Sequence, residues 1–131
     1  MYSFNKEERL CSRKNLDLLF KNGSSFLLYP YRISYLFLNN EAKFPAQVVI
    51  NVPKKRYKRA VDRNLLKRRI KESYRLNKQE SLYANLSIDR GLLLLSVQFV
   101  GKEKYEYNFL AKKMLVAFKR LFTLIATDAT Y

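Results

Sequence analysis

The chain has 131 residues, the size of one ordinary domain, and its 26 Lys and Arg against 11 Asp and Glu give a formal charge of +15. Hydrophobic residues at 48% and aromatics at 15% exclude wholesale disorder, and a charge of this sign and size favours a polyanionic partner. Histidine is absent and Cys11 is the single cysteine, which excludes a tetrahedral zinc site, a Cys–His nucleophile, a Ser–His–Asp triad and an intramolecular disulfide.

The lone cysteine fits a reducing compartment, so the cytoplasm is the expected location. The opening MYSFNKEERL lacks the apolar core of a signal peptide, and the longest apolar run, Leu92 to Leu95, is far too short to span a bilayer. No membrane partner is expected. No internal repeat or linker interrupts the chain, and 1–131 reads as a single domain.

In chain order, residues 1–11 form a polar lead-in whose Arg9 and Leu10 begin to touch the fold. Ser12 can cap a helix from Arg13 to Asn22, with Leu16, Leu19 and Phe20 at helical spacing and Gly23 as its stop. Phe26 to Leu28, and Tyr31 to Leu38 after Pro30, are rich in aromatic and aliphatic residues and bounded by Gly, Pro and Asn, as strands are. In the second run Tyr31, Ile33, Tyr35 and Phe37 share a face, and those rings are either core or a platform for unpaired bases. Asn39 to Pro45 is a turn. Gln47 to Val52 is a strand with Val48, Ile50 and Val52 inward and Gln47 and Asn51 on the other side.

The segment from Lys54 to Arg75, KKRYKRAVDRNLLKRRIKESYR, holds eleven Lys and Arg against Asp62 and Glu72, so it carries nine of the fifteen net charges. Lys54, Lys55, Arg56, Lys58 and Arg59 form a basic loop. A helix from Ala60 to Asn77 then places Arg63, Asn64, Lys67, Arg68, Lys71 and Arg75, together with Tyr74, in one arc of roughly 140°, with Leu65, Leu66, Ile70 and Leu76 opposite. A merely solvated face usually intersperses carboxylates at helical spacing, because like charges three or four apart repel. Here Lys67, Lys71 and Arg75 run uninterrupted, which favours nucleic-acid binding over an acidic protein or lipid surface.

From Lys78 to Asp89 the pattern weakens into a connector with one or two helical turns before Asp89, Arg90 and Gly91 break it. Leu92 to Val100, bracketed by glycines, is a buried strand expected at the centre of the sheet. Tyr105 to Ala126 is a long amphipathic helix with Leu110, Met114, Phe118, Leu121 and Ile125 on its apolar face. The order α-β-β-β-α-β-α describes an α+β two-layer sandwich.

At AVDRNLLKRRIKES, preceded by VPKKRYKR, the chain resembles the protein subunit of bacterial ribonuclease P, through Arg63, Asn64, Lys67, Arg68 and Glu72. Arg9-Leu10, the first helix with Phe20 and Gly23, and the strand ending before Lys54-Lys55 agree in order. The resemblance implies a left-handed strand-helix-strand crossover around the basic helix. It also implies an accessory role, in which a large RNA cleaves precursor tRNA with magnesium to form the mature 5′ end. The basic loop and helix would contact that RNA, and a cleft between the first helix and the sheet would hold the precursor's 5′ leader. Leu16, Phe20, Tyr35 and Asn51 are its candidate cleft residues, and no catalytic residue, protein-held cofactor or DNA partner is expected. Three departures stand out. Leu65 replaces a usual Arg, Leu16 replaces a frequent Phe, and the loop KKRYKRAV lacks a common glycine.

Three other readings share the composition. A ribosome-type structural RNA-binding protein would bind RNA without changing cleavage. A DNA regulator would need a helix and tight turn before the basic helix, where here a strand and loop stand. A nuclease would need clustered carboxylates, whereas Glu7, Glu8 and Glu72 read as surface or ion-pair residues, with Glu72 set to pair within its own helix.

Overall fold

The computed structural model describes residues 4–39, 42–86 and 91–128. A short 3-10 turn, Lys6–Glu8, precedes helix α1 (Arg13–Asn22), strands β1 (Ser24–Leu28), β2 (Tyr31–Leu38) and β3 (Ala46–Asn51), and helix α2 (Ala60–Ser81). A second 3-10 turn (Tyr83–Asn85), strand β4 (Leu92–Phe99) and helix α3 (Tyr107–Asp128) follow. The element types and their order are those expected from the sequence. The connector is shorter than expected because α2 continues to Ser81, and the expected break at Asp89 and Arg90 lies outside the described residues.

The four strands lie in the order β1-β2-β4-β3, and β4 is central as its unbroken apolar run requires. β1 and β2 form an antiparallel hairpin, β2 pairs antiparallel with β4, and β3 runs parallel to β4, so α2 is the crossover between parallel neighbours. Gly91 leads into β4 at φ 82°, where a Cβ would lie 2.2 Å from the Leu38 carbonyl oxygen, so both conformation and space require glycine.

Both faces of the sheet are used. Tyr31, Ile33, Tyr35, Val48, Leu93, Leu95, Val97 and Phe99 meet Leu66, Ile70 and Tyr74 of α2 and Leu110, Met114 and Phe118 of α3 in the main core. On the opposite face Leu16 and Leu19 of α1 pack with Leu36, Leu38, Val49, Leu92 and Leu94. The expected two layers are therefore a helix pair on one face, with α1 as a partial third layer on the other. The apolar first half of β4 permits this, since alternate leucines of Leu92 to Leu95 feed different faces. Ser12 caps α1 by accepting from the Asn15 N–H at 3.3 Å. Gly23 ends α1 without a left-handed turn. Its φ is −76°, and its need is space, because a Cβ would meet Leu19 O at 2.4 Å and Tyr35 O at 2.9 Å.

Candidate nucleic-acid interface

The basic helix is built on one four-residue row. Leu66, Ile70, Tyr74 and Lys78 are buried in succession, with Ser73 beside them. The adjoining row is Arg63, Lys67, Lys71 and Arg75, so the cations stand along the border of the core rather than opposite it. Lys67, Arg68, Lys71 and Asn64 are exposed, while Arg63 and Arg75 are partly covered. Tyr74, which sequence spacing places inside the basic arc, is instead fully buried, packing its ring against Phe4 and Phe118 at 5.6 Å and 6.1 Å. Leu65 and Leu76 are only half-buried. The buried stripe is thus rotated toward the cations, because Tyr74 fills the space between α3 and the N-terminal segment.

In the sequence that segment reads as a lead-in whose Arg9 and Leu10 begin to touch the fold. In the structure Arg9 bridges to Val48 and Leu10 donates its N–H to the Val48 carbonyl at 2.9 Å, which ties it to β3. Glu8 is buried, and accepts from Lys78 Nζ and, at 2.6 Å, from the Tyr83 hydroxyl. Burial alone would raise the Glu8 pKa, but the hydrogen bonds from Lys78, Tyr83 and the Asn5 N–H outweigh it and hold the carboxyl below its ordinary value. Phe4 lies under both Lys71, at 5.5 Å, and Lys78, at 5.3 Å, and so rests at the border between the two rows. Phe4 is a positioning residue that sequence reasoning missed, its one signal being an aromatic side chain in a polar stretch.

The basic loop is pinned at its middle and open at its cations. The Tyr57 ring packs on Phe99 at 6.0 Å, its hydroxyl donates to the Gly101 carbonyl at 3.3 Å, and Arg63 Nη1 donates to the Tyr57 and Lys58 carbonyls at 2.8 Å each. Arg63 therefore shapes the loop as well as extending its charge. Lys54, Lys55, Arg56, Lys58 and Arg59 are all exposed around this anchor. Arg69 is occupied elsewhere, donating to the Tyr105 carbonyl at 2.6 Å and binding α2 to the approach of α3. Glu72 forms an ion pair with Arg75, which lowers the carboxyl's pKa and raises the guanidinium's. Among the described residues, no group of three or more Cys, Asp or Glu could hold a metal ion.

The second candidate surface is the α1 face of the sheet. The strand register puts Ser25, Ser34, Ser96 and Val49 in one row across it, and Leu27, Arg32, Gln98 and Asn51 in the next. α1 covers the neighbouring leucine rows, with Val49 packed against them and Ser96 buried, and the other members of the two rows form a largely polar floor on the sheet face that carries α1, whose Phe20 is 64% exposed. Leu16 packs half-buried beneath α1, and Asn51 is exposed on the floor. Tyr35 does not join them. Its side chain has the parity of Tyr31 and Ile33, is buried in the main core, and meets Phe26 edge-on at 6.3 Å. The neighbouring Ser34 faces the cleft in its place. Arg32, Ser34 and Gln98 are floor residues that sequence reasoning passed over, although the alternation of β2 already set Arg32 and Ser34 opposite the aromatic face.

Comparison with known proteins gives a consistent result. The family model described as Ribonuclease P matches residues 4–122. Curated relatives include the ribonuclease P protein component of Porphyromonas gingivalis, 38% identical over 77 residues, or 59% of this chain and 56% of that protein. The corresponding component of Pseudoalteromonas atlantica is 38% identical over 80 residues, 61% of this chain and 63% of that protein. The matched stretch thus spans little more than half the length of these relatives. Among solved structures, the RNase P protein of Staphylococcus aureus superposes with a TM-score of 0.68 at 20% identity, covering 88% of this chain and 96% of that one. The protein from Thermotoga maritima gives 0.67 at 24% identity, covering 86% and 96%.

Proposed function

We propose the role of this chain from the premise that it belongs to the ribonuclease P protein family: it is the accessory protein of a ribonucleoprotein endonuclease that forms the 5′ end of tRNA. The observation that carries the reading is the exposed Lys67 and Lys71 of the border row with the exposed Arg68 beside them, continuous with five exposed cations of the loop. Ribonuclease P RNA is the partner of this surface, because clustered cations gain free energy by releasing phosphate counterions. The polar floor on the face that carries α1 and its exposed Phe20 suits an unpaired strand, offering hydroxyl and amide partners with one exposed ring for a base. The precursor's 5′ leader is the proposed occupant. A strand and a basic loop, rather than a helix and tight turn, lead into α2, which speaks against a DNA regulator.

The division of labour follows from electrostatics. Two polyanions, the catalytic RNA and its substrate, repel each other, and cations placed between them reduce the magnesium needed to hold them together. The residues present do not fit a magnesium site, which takes oxygen ligands, having no acidic cluster among the described residues, so the ion's ligands are assigned to RNA. No described helix is long and apolar enough to cross a membrane, and the cytoplasm is the proposed site of action.

The test is cleavage of a 5′-extended precursor tRNA by ribonuclease P RNA at low magnesium, with and without the protein. Stimulation that is abolished in the Lys67→Ala, Arg68→Ala, Lys71→Ala variant is the expected result. Tight RNA binding with no stimulation would move the assignment to a structural RNA-binding protein.

A further inference from the structure

At the end of the sheet where β1 and β4 finish and β2 begins, a chain of rings runs from the interior to the surface. Tyr57 contacts the fully buried Phe99 at 6.0 Å, Phe99 meets Tyr105 at 6.3 Å, and Tyr105 meets Tyr29 edge-on at 6.0 Å and stacks on Phe109 at 4.4 Å. Lys113 Nζ lies over the Phe109 ring at 5.6 Å. Tyr29 is the outermost ring, 42% exposed.

An exposed tyrosine is ordinarily mobile, but this one is tied at its tip. Its hydroxyl lies 2.8 Å from that of Tyr105 and accepts the Lys102 backbone N–H at 3.0 Å. The Tyr29 pKa is lowered and the Tyr105 pKa is raised to about 12, each first through their mutual hydrogen bond. A ring fixed this way loses little conformational entropy when something stacks on it.

We propose that Tyr29, held by Tyr105 and the Lys102 backbone, is a stacking site for an unpaired RNA base. This rests on the RNA-binding reading above and extends it to a site outside the α1 cleft. The position supports it in two ways. The floor row Leu27, Arg32, Gln98 and Asn51 is the last row on the α1 face before this end of the sheet, so a strand crossing the floor toward that end approaches the turn that carries Tyr29. The basic loop leaves β3 at the same edge, and Tyr57 bonds it to Gly101 beside the ring chain. The local charge favours a base over a phosphate, since Lys102 and Lys104 alternate with Glu103 and Glu106 and Lys104 already meets Asp62 at 3.2 Å. A mixed-sign surround does not concentrate anions, whereas every base has a face that can stack.

The test compares a labelled single-stranded RNA oligonucleotide with an RNA hairpin of equal phosphate number, on wild-type protein, Tyr29→Ala and Tyr29→Phe. Tyr29→Ala is expected to weaken the single strand roughly 5- to 150-fold, as removal of one base–aromatic stack does, and to leave the hairpin within about twofold. Tyr29→Phe, which keeps the ring, is expected to retain most of the single-strand affinity, and matching thermal melts establish that both variants are folded. Equal weakening on both RNAs, or none on the single strand, overturns the proposal. Failure of the broader RNA-binding reading shows itself separately, as wild-type protein that binds neither RNA, and overturns both.

Discussion

Lys71 and Lys78 stand on the same helix, yet Lys71 is exposed with its ammonium over the ring of Phe4, while Lys78 is buried against Glu8 and Tyr83. The difference lies in which four-residue row each occupies. Lys78 continues the core row from Leu66 through Ile70 and Tyr74, whereas Lys71 belongs to the adjoining row at the core's border. A charge in the border row is available to a partner. A charge in the core row must find its counter-charge within the fold, and the N-terminal segment supplies Glu8.

The largest expected effect comes from breaking the buried side of this comparison. Lys78→Ala leaves Glu8 buried without its cation and is expected to cost about 3–5 kcal/mol in urea unfolding, with RNA affinity of the folded protein little changed. Replacing both partners, Glu8→Leu with Lys78→Met, should recover most of that stability, because it removes the uncompensated charge.

Acid provides a second break on the same pair. The folded Glu8 carboxyl titrates below its ordinary value of 4.5, so the stability it contributes is present above that value and is lost as pH falls through the depressed folded pKa. Unfolding free energy should therefore decline below about pH 4.5 in the wild type, and more gently in the variant carrying both Glu8→Leu and Lys78→Met.

Gly23→Ala sharpens the contrast between faces by disturbing only the α1 side. Its Cβ would meet two backbone carbonyls, which cannot move away as a flexible side chain would. A destabilisation of about 1–3 kcal/mol is expected, read by thermal melts, with weaker binding of single-stranded RNA than of an RNA hairpin. The smallest effect is expected at Glu72→Ala. Its pair with Arg75 is partly exposed, so stability should change by about 0.2–1 kcal/mol, less at high salt.

The strands, the two long helices and the basic arc are legible in the sequence because each is set by local periodicity: two for β2 and β3, and about 3.6 for α2 and α3. The four-residue core row is only half legible. Tyr74 reads as amphipathic on a helical wheel, and its burial depends on Phe118 and Phe4, which come from distant parts of the chain. Glu8 reads as a surface or ion-pair residue and Lys78 as the start of a connector, and their burial together is not legible because each is a satisfied buried group only in the other's presence. Of the cleft candidates implied by the resemblance, Phe20 stands on α1 and Asn51 on the sheet face that carries α1, while the alternation of β2 sends the Tyr35 ring to the other side. The family resemblance supplies what periodicity does not, namely a partner and a reaction.

The most direct test of the border row is a salt titration of RNA affinity for wild-type protein and the Lys67→Ala, Arg68→Ala, Lys71→Ala variant, with Lys78→Met, Glu8→Leu as the control. Each phosphate no longer neutralised should reduce the slope of log affinity against log salt by roughly 0.7 to 0.9, so the triple variant should flatten by about 2 to 3 while the control keeps the wild-type slope. An unchanged slope in the triple variant would contradict the assignment of this row to RNA.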